Sequence, residues 1–352
     1  MVLPQSYLAA LLVTILSMIC WGSWANTQKL AGKWRFELFY FDYTFGLLLA
    51  AIIAAYTFGT LGFDGFLFTD DLLRAGRRNI AYGLGAGVLF NLANMLLVAA
   101  ISVAGLAVAF PVGIGLALII GVVLNYIINP QGNPTLLFAG VAIVLAAIVV
   151  DAAAYRSHAT AKAKAKIKAG RTASIYPQVG WKGLLLSLAS GVLMGSFYPL
   201  VEMGKAGDTG LGPYAIAFVF ALGVFLSTFV FSLFFMNLPV QGEPVELLDY
   251  FKGTWKQHLL GLAGGSIWVV GAISNFVAAS TPPEVQVGPA ISYALGQGAT
   301  LVSALWGLLL WKEFAGSSGK VKLLLATMLV LFAIGLGLIS VAPLYAVAPP
   351  AG

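Results

Sequence analysis

Apolar residues run through this chain in long unbroken blocks, not in the alternation of a half-buried strand or the narrow stripe of a soluble helix. A bilayer core about 30 Å thick needs about 20 mostly apolar residues in one helix. Ten stretches meet that length: 7–28, 40–61, 80–101, 104–128, 135–155, 181–203, 213–237, 258–280, 286–311 and 321–343. Between the third and fourth, the polar break is only Ser102 and Gly105. Barrel strands alternate, so these runs exclude them. The pattern predicts an all-α integral membrane protein with ten transmembrane helices.

The blocks also repeat. A shift of 178 residues pairs Gly83 with Gly261, Gly87 with Gly265, Phe90 with Trp268, Ala100 with Ala278 and Pro111 with Pro289. Span one matches span six at a shift of 173, where Gly22-Ser23-Trp24 meets Gly195-Ser196-Phe197. An odd number of spans per copy forces the copies into opposite orientations, which is the inverted-repeat plan of many secondary transporters. The expected organisation is a first five-helix repeat at 1–155, a basic cytoplasmic linker at 156–180 and a second five-helix repeat at 181–352.

Composition fits a membrane chain: of 352 residues, 60% are hydrophobic and 9% charged, against about a quarter charged in soluble domains. A net charge of +6 would suggest nucleic acid in a soluble protein, but here its placement matters more. Of 19 basic residues, 15 fall on alternate loops; Arg74, Arg77, Arg78 and Lys205 fall on the others. That bias predicts a multi-pass protein of the cytoplasmic (inner) membrane, with the 156–180 loop in the cytoplasm and both termini outside. Alternating Ala and Lys over 161–168 would spread charge all round a helix, so a solvated connector near anionic headgroups is expected there. No Gly-x4-Gly-Lys-Ser/Thr pattern occurs, which argues against an ATP-driven pump. One cysteine (Cys20) and two histidines (His158, His258) leave almost nothing for a metal site. No metal and no cofactor are expected beyond a transported proton or sodium ion.

Polar side chains inside hydrocarbon usually face the bundle interior or a water-filled cavity. Trp24 and Asn26 close span one, as a stacking and amide surface for a solute or as an interfacial aromatic belt. Asn91 and Asn94 are three apart in span three, as a cavity wall or as interhelical glue. Trp268 and Asn275 lie in span eight; Tyr293 and Gln297, four apart in span nine, offer a ring beside an amide on one face. Pro111 and Pro289 are expected to interrupt spans four and nine at equivalent places, as markers of a site or as ordinary kinks. Glu202, with Lys205 one turn on, is the most embedded acid: a coupling group or a salt-bridged end-cap. Asp42 and Asp151 are expected among headgroups at the ends of their spans.

Several of these stretches resemble a known family. Trp21-Gly22-Ser23-Trp24, Ala93-Asn94, the run Ala109–Leu116 and Ala304-Leu305-Trp306-Gly307-Leu308 followed by Glu313 are similar to the drug/metabolite transporter superfamily, in its glucose/ribose porter and ureide permease branch. Tyr40-Phe41-Asp42-Tyr43 followed by Thr57-Phe58-Gly59 resembles the ureide permeases in particular, although the long central loop of the plant members is absent. The resemblance implies a facilitated or cation-coupled carrier of a small neutral polar solute, with a cavity walled by spans one, three, four, six, eight and nine. The leading expectation is a secondary transporter of a sugar such as glucose or ribose, working by alternating access with proton or sodium coupling. A purine-ureide or nucleobase permease is the alternative, a drug exporter a third, and a membrane-embedded enzyme is disfavoured for want of a convergent acid cluster. Expected partners are the small-molecule solute, membrane lipid and, as a homodimer, a second copy of the chain; nucleic acid is not one.

Overall fold

The computed structural model describes residues 1–168, 181–240, 242–282 and 285–345, and of 106 and 107 the backbone only. Ten helices in it are long and apolar enough to cross a membrane: α1 Tyr7–Leu30, α2 Phe36–Tyr56, α3 Arg77–Ala104, α4 Val108–Ile128, α5 Pro134–Lys168, α6 Trp181–Lys205, α7 Pro213–Asn237, α8 Trp255–Ala278, α9 Pro289–Leu310 and α10 Gly319–Tyr345. No strand occurs among the described residues. The chain is an all-helical, multi-pass membrane protein.

Local chemistry sets the helix starts. Ser6 Oγ caps α1 through the Ala9 N–H, Thr254 and Gln257 form a capping box on α8, and Ser318 caps α10. Leu8, Leu12, Leu16 and Ile19 make one exposed apolar stripe on α1, the face a lipid would cover.

Small residues let the helices close on one another, and they do so twice over. A Cβ on Gly87 would strike the Phe220 carbonyl of α7, and one on Gly265 the Tyr43 carbonyl of α2. Gly46 sits against the Leu262 backbone just as Gly223 sits against that of Leu84. A Cβ on Gly22 would lie 2.5 Å from the Ala299 carbonyl and the Val302 Cβ, and one on Gly195 2.9 Å from the Ala117 carbonyl and 2.7 Å from the Ile120 Cβ. Each contact recurs with the halves exchanged, so the ten helices form two five-helix repeats related by a pseudo-two-fold. Without a hydrophobic drive between helices in lipid, this close backbone approach supplies the packing energy.

The contacts also correct one pairing. Around α4 and α9 the repeat runs at a shift of 182, from Ala117 to Ala299, so Pro111 corresponds to Tyr293 and not to Pro289. Pro289 does not interrupt its helix. It is the first residue after Gly288, whose φ of 83° matches the 76° of Gly105 ahead of α4. At that first position a missing N–H costs nothing. Pro111 does lie inside its helix, without a partner in the second half.

At the end of the bundle that carries the linker, α5 continues well past residue 155 to Lys168. Ala and Lys are strong helix formers, and Lys162, Lys164, Lys166 and Lys168 stay exposed. Residues 169–180 of the linker lie outside the described residues. Asp151, one turn before the end expected for this span, is 7% exposed and so buried, not among headgroups as its place in the sequence suggested. Asp42 is also buried, accepting from the Tyr250 hydroxyl (2.5 Å) and lying 2.8 Å from His258 Nδ1, while Arg35 pairs with Glu37. Burial, together with the carboxylate it donates to, pushes the Tyr250 phenol above its usual range.

Candidate functional site

Between the middle of the bundle and its linker end lies a cavity of about 250 Å³, walled by α1, α3, α4, α6, α8 and α9. These are the six spans that the resemblance implied. Its inner wall is aromatic: Phe90 and Trp268 have ring centroids 4.2 Å apart, Trp21 stacks on Trp268 at 5.7 Å, and Phe197 meets Phe90 at 5.3 Å. Trp24, also on the wall, packs against Tyr43 at 5.0 Å. Phe90 with Trp268, and Trp24 with Phe197, are mates in the internal repeat, so the site straddles the pseudo-two-fold.

Five polar side chains face this space with bonding capacity to spare. Gln28, Gln297, Thr300 and Ser303 line the cavity, and their side chains bond to no described residue. Asn94 donates from Nδ2 to the Tyr40 hydroxyl at 3.0 Å, which leaves its Oδ1 as a free acceptor. No charged side chain lines the cavity among the described residues. No group of three or more His, Cys, Asp or Glu converges anywhere in them to hold a metal.

Local breaks in the helices aim these groups. The α-helix of α9 stops at Gly296 and restarts at Ala299, and Gln297 stands at the joint. A Cβ on Gly296 would lie 2.5 Å from the Trp21 ring, so glycine allows the joint to press against α1. The regular part of α1 likewise ends at Ser23, and Trp24 forms the junction to its last turn.

Of the residues singled out from sequence, the structure brings Trp24, Asn94, Trp268 and Gln297 to the cavity. Asn26 is not there: its Oδ1 accepts from Trp311 Nε1 at 2.6 Å, tying α1 to the segment after α9. Asn91 faces α7, donating to the Val224 carbonyl, Ser227 Oγ and Thr228 Oγ1. Three helical positions leave about 60° between side chains, enough to turn Asn91 away from Asn94. Tyr293 is fully buried, its hydroxyl donating to the carbonyls of Ala117 and Met194 at 3.3 Å. The joint at 297 takes Gln297 off the Tyr293 face, which the regular spacing could not foresee.

Asn275 belongs to the plug that fills the bundle on the far side of the aromatic wall. Its Oδ1 accepts from the Tyr198 hydroxyl at 2.7 Å, and its Nδ2 donates to the Ser292 carbonyl (2.9 Å) and Ser17 Oγ (3.2 Å). Beyond the plug lies a separate vestibule of about 520 Å³ that includes Glu202, paired with Lys205 at 2.8 Å and buried with it. The structure thus keeps Glu202 out of the cavity and commits it to an ion pair. Phe90, Phe197 and Thr300 were missed as site residues; for Phe90 and Phe197 the repeat itself was the available signal.

With this geometry in place, likeness to known proteins can be read. The family model described as ureide permease matches residues 39–179 and 179–342, and the two stretches meet inside the basic linker. This chain belongs to the ureide permease family. Ureide permease 1 of Arabidopsis thaliana is 24% identical over 96% of this chain and 98% of its own length. Ureide permease 4 of the same plant is 26% identical over 94% and 96%, and a probable ureide permease A3 of Vigna unguiculata 22% identical over 90% and 99%. A solved crystal structure shares the fold, with a TM-score of 0.59 and 19% identity over 94% of this chain and 97% of that one. Membership corrects the expectation of a sugar carrier. The matching family model and the relatives named above are ureide permeases and not glucose or ribose porters, which favours the ureide and nucleobase alternative.

Proposed function

We propose that this ureide permease family member carries neutral ureides or related purine-derived rings across its membrane by alternating access. The observation that carries the reading is the pairing of stacking rings with five unspent amide and hydroxyl groups in an uncharged cavity. Ureides are rich in both N–H and C=O groups and carry no obligatory charge, so amides and hydroxyls can satisfy both ends without a desolvated ion. The aromatic wall takes the flat face of such a ring. The relatives are named permeases, and the site has no convergent acid or nucleophile, which favours carriage over catalysis.

The cavity lies on the linker side of the plug, which supports reading this conformation as the state open toward the linker. With the basic loops gathered there, we read that end as cytoplasmic, with the two five-helix halves rocking against one another. The test is uptake of labelled allantoin into proteoliposomes. Saturable flux inhibited by uracil but not by glucose or ribose is expected. Absence of allantoin flux from monodisperse, reconstituted protein, or stronger flux of glucose or ribose, would sink the reading.

A further inference from the structure

At the linker end α9 finishes irregularly. It passes into a π-helical turn over Trp306–Leu310 and leaves it through Lys312, whose φ of 50° is the one positive value among the described non-glycine residues. Wide turns and left-handed non-glycine residues are costly, and they cluster at sites of function. Here they deliver Glu313 against α5. Tyr155 donates its hydroxyl to Glu313 Oε2 at 3.0 Å, and Lys29 Nζ lies 2.5 Å from Oε1. Gly307 permits the approach, because a Cβ there would lie 3.0 Å from Oε2 and 3.2 Å from the Tyr155 hydroxyl.

Asp151 lies one turn before Tyr155 on the same face of α5, within electrostatic reach of Glu313. It is 93% buried by its 7% exposure, and its Oδ1 has no hydrogen-bond partner. The nearby positive groups are spent elsewhere. Lys29 is held by Glu313 Oε1, while Lys162 Nζ and His158 Nε2 meet the Glu313 carbonyl at 3.3 and 3.0 Å. Of the helices packed on α5, α4 carries only Tyr126 as an ionisable group, and Lys320 and Lys322 of α10 are exposed. An ionised carboxylate out of water with no partner is among the costliest arrangements a membrane helix can hold.

The repeat shows that the fold does not require this charge. At the shift of 182 that relates α4 to α9, Glu313 corresponds to Gln131, which bonds at the opposite end to another amide, Gln286, at 2.5 Å. A neutral amide serves there where a carboxylate stands here.

We propose that Asp151, one helical turn from the Tyr155 that bonds Glu313, binds one monovalent cation, a proton or a sodium ion. Lys29 already neutralises Glu313, so one unpaired carboxylate remains at Asp151, and a single positive charge balances it where a divalent metal would leave an excess. The position gives the ion leverage. Glu313 also grips Lys29 of α1, and Asn26 of α1 grips Trp311, so α1, α5 and α9 meet at this point. Trp24 and Gln28 of the same α1 segment line the cavity. Occupancy at Asp151 changes how firmly Glu313 holds Lys29, and thereby how the cavity's linker-side wall is set.

The test needs no transported solute, so it stands or falls apart from the substrate assignment. Purified full-length protein in nanodiscs is followed by melting temperature in NaCl against choline chloride, and by infrared difference spectra across a pH step. Wild type is expected to show either a sodium-dependent rise in Tm or a protonated-carboxyl C=O band; the first identifies sodium, the second a proton. Asp151→Asn abolishes that response, and Tyr155→Phe shifts its midpoint about tenfold, the effect of losing a hydrogen bond to a charged group. Glu202→Gln, in the other vestibule, leaves it unchanged. If Asp151→Asn does not yield monodisperse protein, Glu313→Gln must move the midpoint by a similar factor. A wild type showing neither response, an Asp151→Asn protein retaining it, or an unmoved midpoint in Glu313→Gln overturns the proposal.

Discussion

Replacing Asn275 by Ala should open the far side of the bundle. Asn275 joins four helices in the plug, through Tyr198 of α6, Ser17 of α1 and Ser292 of α9. The repeat maps these residues onto Leu97, Ala25, Ser190 and Phe110 at the linker end, so that end holds no comparable set of polar groups from which to build a closure. Interhelical hydrogen bonds in membranes average about 0.6 kcal/mol each, and losing three removes about 2 kcal/mol from the state seen here. That is a shift of about 30-fold toward the state open at the opposite end. The assay uses the chain's single cysteine: Cys20→Ser gives a thiol-free background, and Met194→Cys places one reporter on the cavity wall. Labelling by a membrane-impermeant maleimide added at the end opposite the linker should rise about 30-fold in Asn275→Ala. A rise of less than about threefold, in protein that still melts cooperatively, would show that the plug's hydrogen bonds do not hold the gate.

Asn94→Leu should raise the KM for ureide uptake at least about tenfold by removing a polar partner from the solute, with little change in Tm. Asn91→Ala should do the reverse: loss of its three bonds to α7 lowers stability by about 2 kcal/mol, read by thermal denaturation in detergent, and leaves KM unchanged. If the two variants exchanged phenotypes, the assignment of one Asn to the cavity and the other to packing would fail. Gly265→Val should prevent stable folding, because its side chain would overlap the Tyr43 carbonyl across α2 and α8; a monodisperse, active variant would contradict that packing.

The ten spans and the duplication were legible in the linear sequence because they are properties of one segment or of two segments compared. Hydrocarbon demands length and apolarity from each helix separately, and the glycines that touch partner backbones must recur wherever the contact recurs. Phe90 with Trp268 and Trp24 with Phe197 could be paired in advance for the same reason. The tertiary structure decided which polar groups line the cavity, since that depends on how each helix is rotated against neighbours far away in sequence. Asn91 and Asn275 spend their amides on other helices, whereas Asn94 keeps one oxygen free. Breaks that spacing rules do not encode, the joint at Gln297 and the π turn before Glu313, then re-aimed α9 and brought Glu313 to Asp151. The family likeness removed the sugar carrier in favour of the ureide permeases, a choice that neither apolar spans nor amide counts could make. Apolarity along the chain determined that this protein lives in a membrane; the rotation and interruption of its helices, set by backbone contact across the two-fold, determined what faces its cavity.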